Sequence, residues 1–260
     1  MIQLAYKQYG DPSSPPFLIL HGLFGMLDNW QLHANRLSES YCVYALDLRN
    51  HGRSPHTEEM NYALMAADVA LFCQEKGLED IVLLGHSMGG KVAMQFAVAY
   101  PQLLRLLIVA DIAPKAYSAK GHQKYFDAFR AIDFTQIESR KEAEEAFAQF
   151  EPNQGIRLFL LKNLEKAAVG YRLKCNLDAI EKAYPLIAGK VEVPYPINIP
   201  TCFLKGALSA YITPADEADI EALFLQAEFV TIPQAGHWLH AENPEVFYQE
   251  LTRFLEQHKP

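Results

Sequence analysis

Short, almost wholly apolar runs alternate with longer amphipathic segments over the first 113 residues. The runs at 17–20, 41–46, 81–84 and 105–110 have strand length and read as buried on both faces, the pattern of strands inside a parallel sheet. Segment 2–9 instead alternates roughly between apolar and polar residues, as an edge or antiparallel strand does. Between them, segments near 29–37, 61–76 and 91–100 read as helices; Gly77 closes the second and Pro101 the third. This alternation predicts an α/β fold with a mostly parallel central sheet flanked by helices. Ligands bind such sheets at the carboxyl ends of the strands. His21-Gly22, Asp47, Ser87 and Asp111 all fall at those ends and should share one rim.

From 114 to 190 the strand runs vanish and helix-like stretches follow one another, at 120–132, 138–150 and 154–166. A mixed segment, 170–187, begins with a short extended piece. This reads as a helical cap inserted in the sheet. A proline-rich return at 191–196 leads to strands at 201–204 and 229–232 and helices near 215–225 and 244–257. The expected organisation is a core of residues 1–113 and 191–260 with a cap, or lid, of residues 114–190.

Composition narrows the class. A chain of 260 residues, half apolar and 21% charged, is an ordinary soluble globular protein with a core that needs no staples. The net charge of −8 and the lack of a basic tract argue against nucleic-acid partners. No apolar run is long enough for stable membrane insertion, and the first ten residues lack a signal peptide's basic start, so a cytoplasmic protein is expected. Cys42, Cys73, Cys175 and Cys202 show no Cys-x-x-Cys spacing and read as buried free thiols. No metal-ligand spacing, phosphate loop or dinucleotide fingerprint occurs, so no metal and no cofactor are expected; Gly89-Gly90-Lys91 matches only a fragment of a phosphate loop.

The chemistry gathers at Gly85-His86-Ser87-Met88-Gly89-Gly90, a Gly-x-Ser-x-Gly unit between a buried strand and a helix. That context is what a nucleophile elbow requires: the serine sits on a strained turn, and glycines two residues either side remove side chains that would collide. A serine hydroxyl needs a base. His237 follows a strand and a glycine-bearing loop on the same rim, with His240 as its rival. His21, His51 and His86 read as loop-orienting residues. Two backbone N–H donors are needed for an oxyanion; Met88, after the nucleophile, and Leu23, after the 17–20 strand, are the candidates.

The order Ser…His, the His21-Gly22-Leu23-Phe24-Gly25 loop and the cap resemble the α/β-hydrolase family along nearly the whole chain. Within it, Arg49-Asn50-His51-Gly52-Arg53-Ser54, Gly85-His86-Ser87-Met88-Gly89-Gly90-Lys91, Asp111-Ile112-Ala113-Pro114 and Gly236-His237-Trp238-Leu239-His240 look like the bacterial YbfF-type esterases. Most members of the larger family carry the triad acid shortly after the strand that here is 201–204, where this chain has Ser209. The best substitute is Asp111 at the end of the preceding strand, and YbfF-type enzymes are similar in placing the acid there. Asp216 is the alternative.

The resemblance implies hydrolysis of short- to medium-chain acyl esters, with acyl-coenzyme A thioesters among the possible substrates. Segment 114–190 holds thirteen Lys/Arg against ten Asp/Glu in an otherwise acidic chain. Two readings follow. One is a solvated helical surface over a small core containing Phe126, Phe129, Phe134, Phe147, Phe150 and Phe159. The other is an acyl pocket under a basic rim, suited to an anionic leaving group. Carbon–carbon bond hydrolysis, with a clamp from Arg130, Arg157 or Arg172, and a catalytically inactive ligand-binding module are the rival functions.

Overall fold

A computed structural model describes residues 1–118 and 120–259; Ala119, within the expected cap, and Pro260, the last residue of the expected core, lie outside it. The chain opens with β1 (Tyr6–Tyr9). This strand is shorter than the alternation implies, because the Ile2 and Ala5 amides are drawn to the Asp68 carboxylate and the Ser54 hydroxyl. There follow β2 (Pro16–Leu20), a 3₁₀ turn over Leu27–Trp30, α1 (Gln31–Leu37), β3 (Cys42–Leu46) and α2 (Tyr62–Lys76). Asn61 caps α2 by accepting the Leu64 N–H, and Gly77 ends it in the left-handed conformation at φ 64°. Then come β4 (Ile81–His86), α3 (Met88–Ala99) and β5 (Leu104–Ala110).

The segment after β5 carries α4 (Gln123–Ala131), α5 (Arg140–Phe147), α6 (Gln154–Leu161), the hairpin β6 (Leu164–Lys166) and β7 (Tyr171–Leu173), and α7 (Leu177–Ala188). The helix expected over 154–166 therefore stops early. Asn163 is fully buried and donates its side-chain amide to the Leu160 and Phe24 carbonyls, which turns the chain out of the helix. The following residues pair as a two-stranded ribbon. Gly170, at φ 58°, makes the ribbon's turn possible: a Cβ there would lie 2.3 Å from the Thr135 carbonyl oxygen.

The chain returns through β8 (Thr201–Gly206), α8 (Pro214–Leu223), β9 (Ala227–Ile232), the short α9 (Leu239–Glu242) and α10 (Pro244–Gln257). The main sheet has the order β1-β3-β2-β4-β5-β8-β9, antiparallel only at the β1–β3 edge.

Alternation along the central strands fills both faces. Phe17, Ile19, Val82, Leu84 and Ile108 enter one core, while Leu18, Leu20, Leu83, Leu107 and Val109 enter the other. Burial of each such side chain contributes about 1.5–3 kcal/mol. Of the six phenylalanines of the helical segment, Phe126, Phe129, Phe134 and Phe147 are buried core residues, as the first reading expects, and they belong to the larger cluster. Phe24, on the loop after β2, meets Phe126 and Phe129 at centroid distances of 5.2 and 5.4 Å. That contact docks the helical segment on the rim. All four cysteines are buried and free.

Candidate active site

Ser87 lies between β4 and α3 with φ 53° and ψ −119°, a left-handed value that costs a non-glycine residue on the order of 1–3 kcal/mol. The two flanking glycines make the turn possible. A Cβ on Gly85 would stand 2.1 Å from the Gly89 carbonyl oxygen, and one on Gly89 would stand 2.5 Å from that of Leu20. The Ser87 N–H donates to the Ala110 carbonyl at 3.0 Å, which ties the turn to the end of β5.

Ser87 Oγ is 2.9 Å from His237 Nε2, and His237 Nδ1 is 2.8 Å from Asp111 Oδ2. The three residues expected to form the site are thus in one hydrogen-bonded line. Asp111 has no solvent exposure and sits at φ 53°, a conformation aspartate tolerates better than most residues. Its other oxygen accepts the Gly206 N–H at 3.0 Å. Ser209, standing where the more usual acid would be, donates its hydroxyl to Asp111 Oδ2 at 2.5 Å. The serine therefore supports the carboxylate that replaces it. Asp216 is elsewhere employed: it pairs with Lys115 at 2.6 Å and accepts the Thr213 N–H in the capping box of α8.

Two further groups fix His237. Tyr211 stacks on its ring at 3.8 Å and 15°, and His86 Nε2 donates to its backbone carbonyl at 2.7 Å. The loop before His237 packs closely on Gly206, where a Cβ would lie 2.2 Å from the Gly236 carbonyl oxygen. His240 is buried, stacked on Trp30 at 4.3 Å, and forms no hydrogen bond with Ser87.

The loop histidines are held neutral. His21 accepts the Leu48 N–H at Nε2 and donates from Nδ1 to the Gly22 carbonyl; His51 does the same between the Phe24 amide and the Arg49 carbonyl. Only a neutral ring can both accept and donate. Burial pushes His21 down to about 4 and His51 and His86 down to about 3. In the unfolded chain the same rings take a proton near pH 6.5. Their contribution to stability is therefore full above pH 6.5 and is lost as the pH falls from there through about 4 to 3. Thermal unfolding followed from pH 8 to pH 4 should show a level melting temperature above 7 and a steep decline below 6. A flat profile down to pH 4 would contradict this account.

Leu23 and Met88 both line the cavity that contains Ser87, and among the described residues neither amide donates to a protein acceptor. This cavity, about 210 Å³, is walled mainly by apolar and tyrosyl side chains, including Tyr62, Ile112, Tyr117, Tyr184 and Tyr211. A second, of about 730 Å³, opens beside His237 and Trp238 and is lined by Ile156, Leu158 and Phe159 of α6. Arg130, Arg157 and Arg172, raised as a polar clamp, line neither; they pair with Asp178 and Glu181, with Glu144 and with Glu165 respectively. The cations of segment 114–190 form no rim at these cavities: among the described residues the segment contributes only Lys162, to the larger one, with Glu242 also in its wall.

Sequence reasoning missed Tyr211, His122 and Lys91 as lining groups. For Lys91 a signal was available, since it stands four residues after Ser87 and thus on the same helical face.

A family profile described as the alpha/beta hydrolase fold matches residues 15–244. An esterase structure from a marine microorganism superposes with a TM-score of 0.95 at 43% identity, covering 98% of this chain and all of its own. A putative esterase/lipase of Haemophilus influenzae is 37% identical over 94% of this chain and 84% of its own length. The esterase YbfF of Escherichia coli is 32% identical over 97% and 96%. The chain belongs to the α/β-hydrolase family and, within it, to the YbfF type.

Proposed function

We propose that this protein is a serine carboxylesterase acting on short- to medium-chain acyl esters through an acyl-enzyme on Ser87. The observation that carries the reading is the line Ser87–His237–Asp111, with distances of 2.9 and 2.8 Å. The esterase relatives support the coarser statement, an ester hydrolase on this fold. His237 takes the Ser87 proton as Oγ attacks the acyl carbonyl, and the Leu23 and Met88 amides receive the negative charge on its oxygen. Nε2 then protonates the departing alcohol and in the second half-reaction deprotonates water. Asp111 keeps the histidine proton on Nδ1, so that Nε2 can accept.

The two cavities divide the substrate. The leaving oxygen must approach His237 Nε2, which directs the alcohol part to the 730 Å³ groove beside it. The acyl chain then occupies the 210 Å³ cavity at Ser87. Helical segment 114–190 acts as the cap, supplying Tyr117, His122 and Tyr184 to that cavity. Such a division favours a compact acyl chain on an uncharged alcohol. Among the described residues, no cluster of cations lines the groove to favour the thioester of a polyanionic carrier.

Aryl esters from two to twelve acyl carbons, compared with the matching coenzyme A thioesters, test this. Aryl ester turnover should peak at or below about six carbons and hardly change with salt, which screens exposed charges. Fastest turnover at twelve carbons, or salt-sensitive thioester turnover exceeding that of the aryl esters, would overturn the reading.

A further inference from the structure

Lys91 sets the acyl cavity apart from a plain apolar slot. It lies on α3 one turn beyond Ser87, its N–H donating to the Ser87 carbonyl, so the two side chains share a helix face. Its side chain is 1% exposed and lines the cavity that holds Ser87. The ammonium donates to two backbone carbonyls, Lys115 at 2.7 Å and Gly189 at 2.5 Å. These lie on the two chain passages that lead into and out of the helical segment. Among the described residues its third N–H has no acceptor, and Nζ stands 4.8 Å from the Tyr117 ring and 5.8 Å from that of Tyr62, both walls of the same cavity.

Among the described residues, no carboxylate answers this charge. The described residues of the cavity wall include neither aspartate nor glutamate, and Lys91 makes no ion pair. Burial without a counter-ion pushes its pKa down to about 8, which leaves it protonated at neutral pH. The other polar equipment of the wall is compatible with an acceptor. His122 Nδ1 is 2.7 Å from the Tyr184 hydroxyl, and a hydroxyl that donates to it leaves Nε2–H of the neutral ring as a donor. The cavity thus presents one uncompensated cation and a neutral donor among apolar and tyrosyl walls.

We propose that Lys91 determines acyl specificity by receiving a carboxylate at the far end of the acyl chain, so that half-esters of short dicarboxylic acids are preferred substrates. This rests on the assignment of the Ser87 cavity to the acyl chain. The carboxylate supplies the missing counter-charge and accepts the free N–H of Lys91. A neutral chain of the same shape leaves the ammonium unpaired beside apolar carbon, which is unfavourable. The half-ester also fits a cavity of about 210 Å³, in which a long chain has no room to bypass the lysine.

The experiment compares monoethyl succinate, glutarate and adipate with neutral ethyl esters in which an isopropyl group replaces the distal carboxylate. Release of ethanol is followed for the wild type, Lys91→Met and Ser87→Ala. The wild type should favour the best half-ester over its isostere by about 10- to 100-fold in kcat/KM, the range of a charge-assisted hydrogen bond. Lys91→Met should remove that preference or reverse it. A wild type that shows no preference, or a preference unchanged in a folded Lys91→Met, overturns the proposal. If both substrates fall equally in Lys91→Met, the lysine is only a tie between helix α3 and the two chain passages, and the proposal fails. The wild-type comparison decides the matter even where Lys91→Met does not fold. Turnover in Ser87→Ala within tenfold of the wild type would instead refute the underlying esterase reading, a separate outcome.

Discussion

Ser87→Ala will lower aryl ester turnover by roughly 10⁴- to 10⁶-fold, the loss seen when a triad nucleophile is removed. The acyl-enzyme has no other oxygen to form on: among the described residues, His237 Nε2 contacts no hydroxyl but Ser87 Oγ. The fold should be unaffected. Alanine has the same Cβ at φ 53°, and the tie holding the elbow uses the backbone N–H of residue 87, not its side chain. Initial rates with a p-nitrophenyl ester, beside a thermal melt matching the wild type, check both halves. Turnover within tenfold of the wild type would mean that the reaction does not pass through Ser87.

The second large effect separates the two carboxylates. Asp111→Asn should cost about 10⁴-fold in kcat, whereas Asp216→Asn should change it by less than about threefold. Asparagine suits φ 53° and can still accept the Gly206 N–H, so the backbone is preserved. Its amide N–H, however, donates to His237 Nδ1 and leaves the ring proton on Nε2, where it can no longer take the proton of Ser87. Asp216 reaches Lys115 and the start of α8, and its loss loosens a cap and an ion pair that make no hydrogen bond to Ser87, His237 or Asp111. Steady-state kinetics on both variants rank them. The reverse ranking would transfer the acid role to Asp216.

Much of the rim was legible because it rests on local rules. Strands β2, β4 and β5 announce themselves as apolar runs, and the Gly85–Gly89 elbow combines glycines, strand and helix within a dozen residues. What the chain does not display is how distant segments meet. Asp111 reaches His237 because β5 and β8 are neighbours, with Ala110 opposite Leu204, and that pairing spans an insertion of about 90 residues. Ser209 reads only as a missing acid; its bond to Asp111 depends on the same pairing. Residues 164–166 read as helix because a three-residue strand has no period to detect, whereas the extended piece expected at the start of 170–187 is β7; the turn between the two strands depends on Gly170 lying against Thr135. The excess cations of segment 114–190 suggested a basic rim, yet charge counts carry no direction, and Arg130 and Arg172 point to partners on exposed surface.

The central claim is that Ser87 is a nucleophile activated by His237. Treatment with a fluorophosphonate, followed by peptide mass spectrometry, tests it most directly. The account predicts one covalent adduct, on Ser87, formed quickly in the wild type and slowed by at least about a hundredfold in His237→Ala. An unlabelled Ser87, an adduct on another residue, or labelling unchanged by loss of His237 would contradict it.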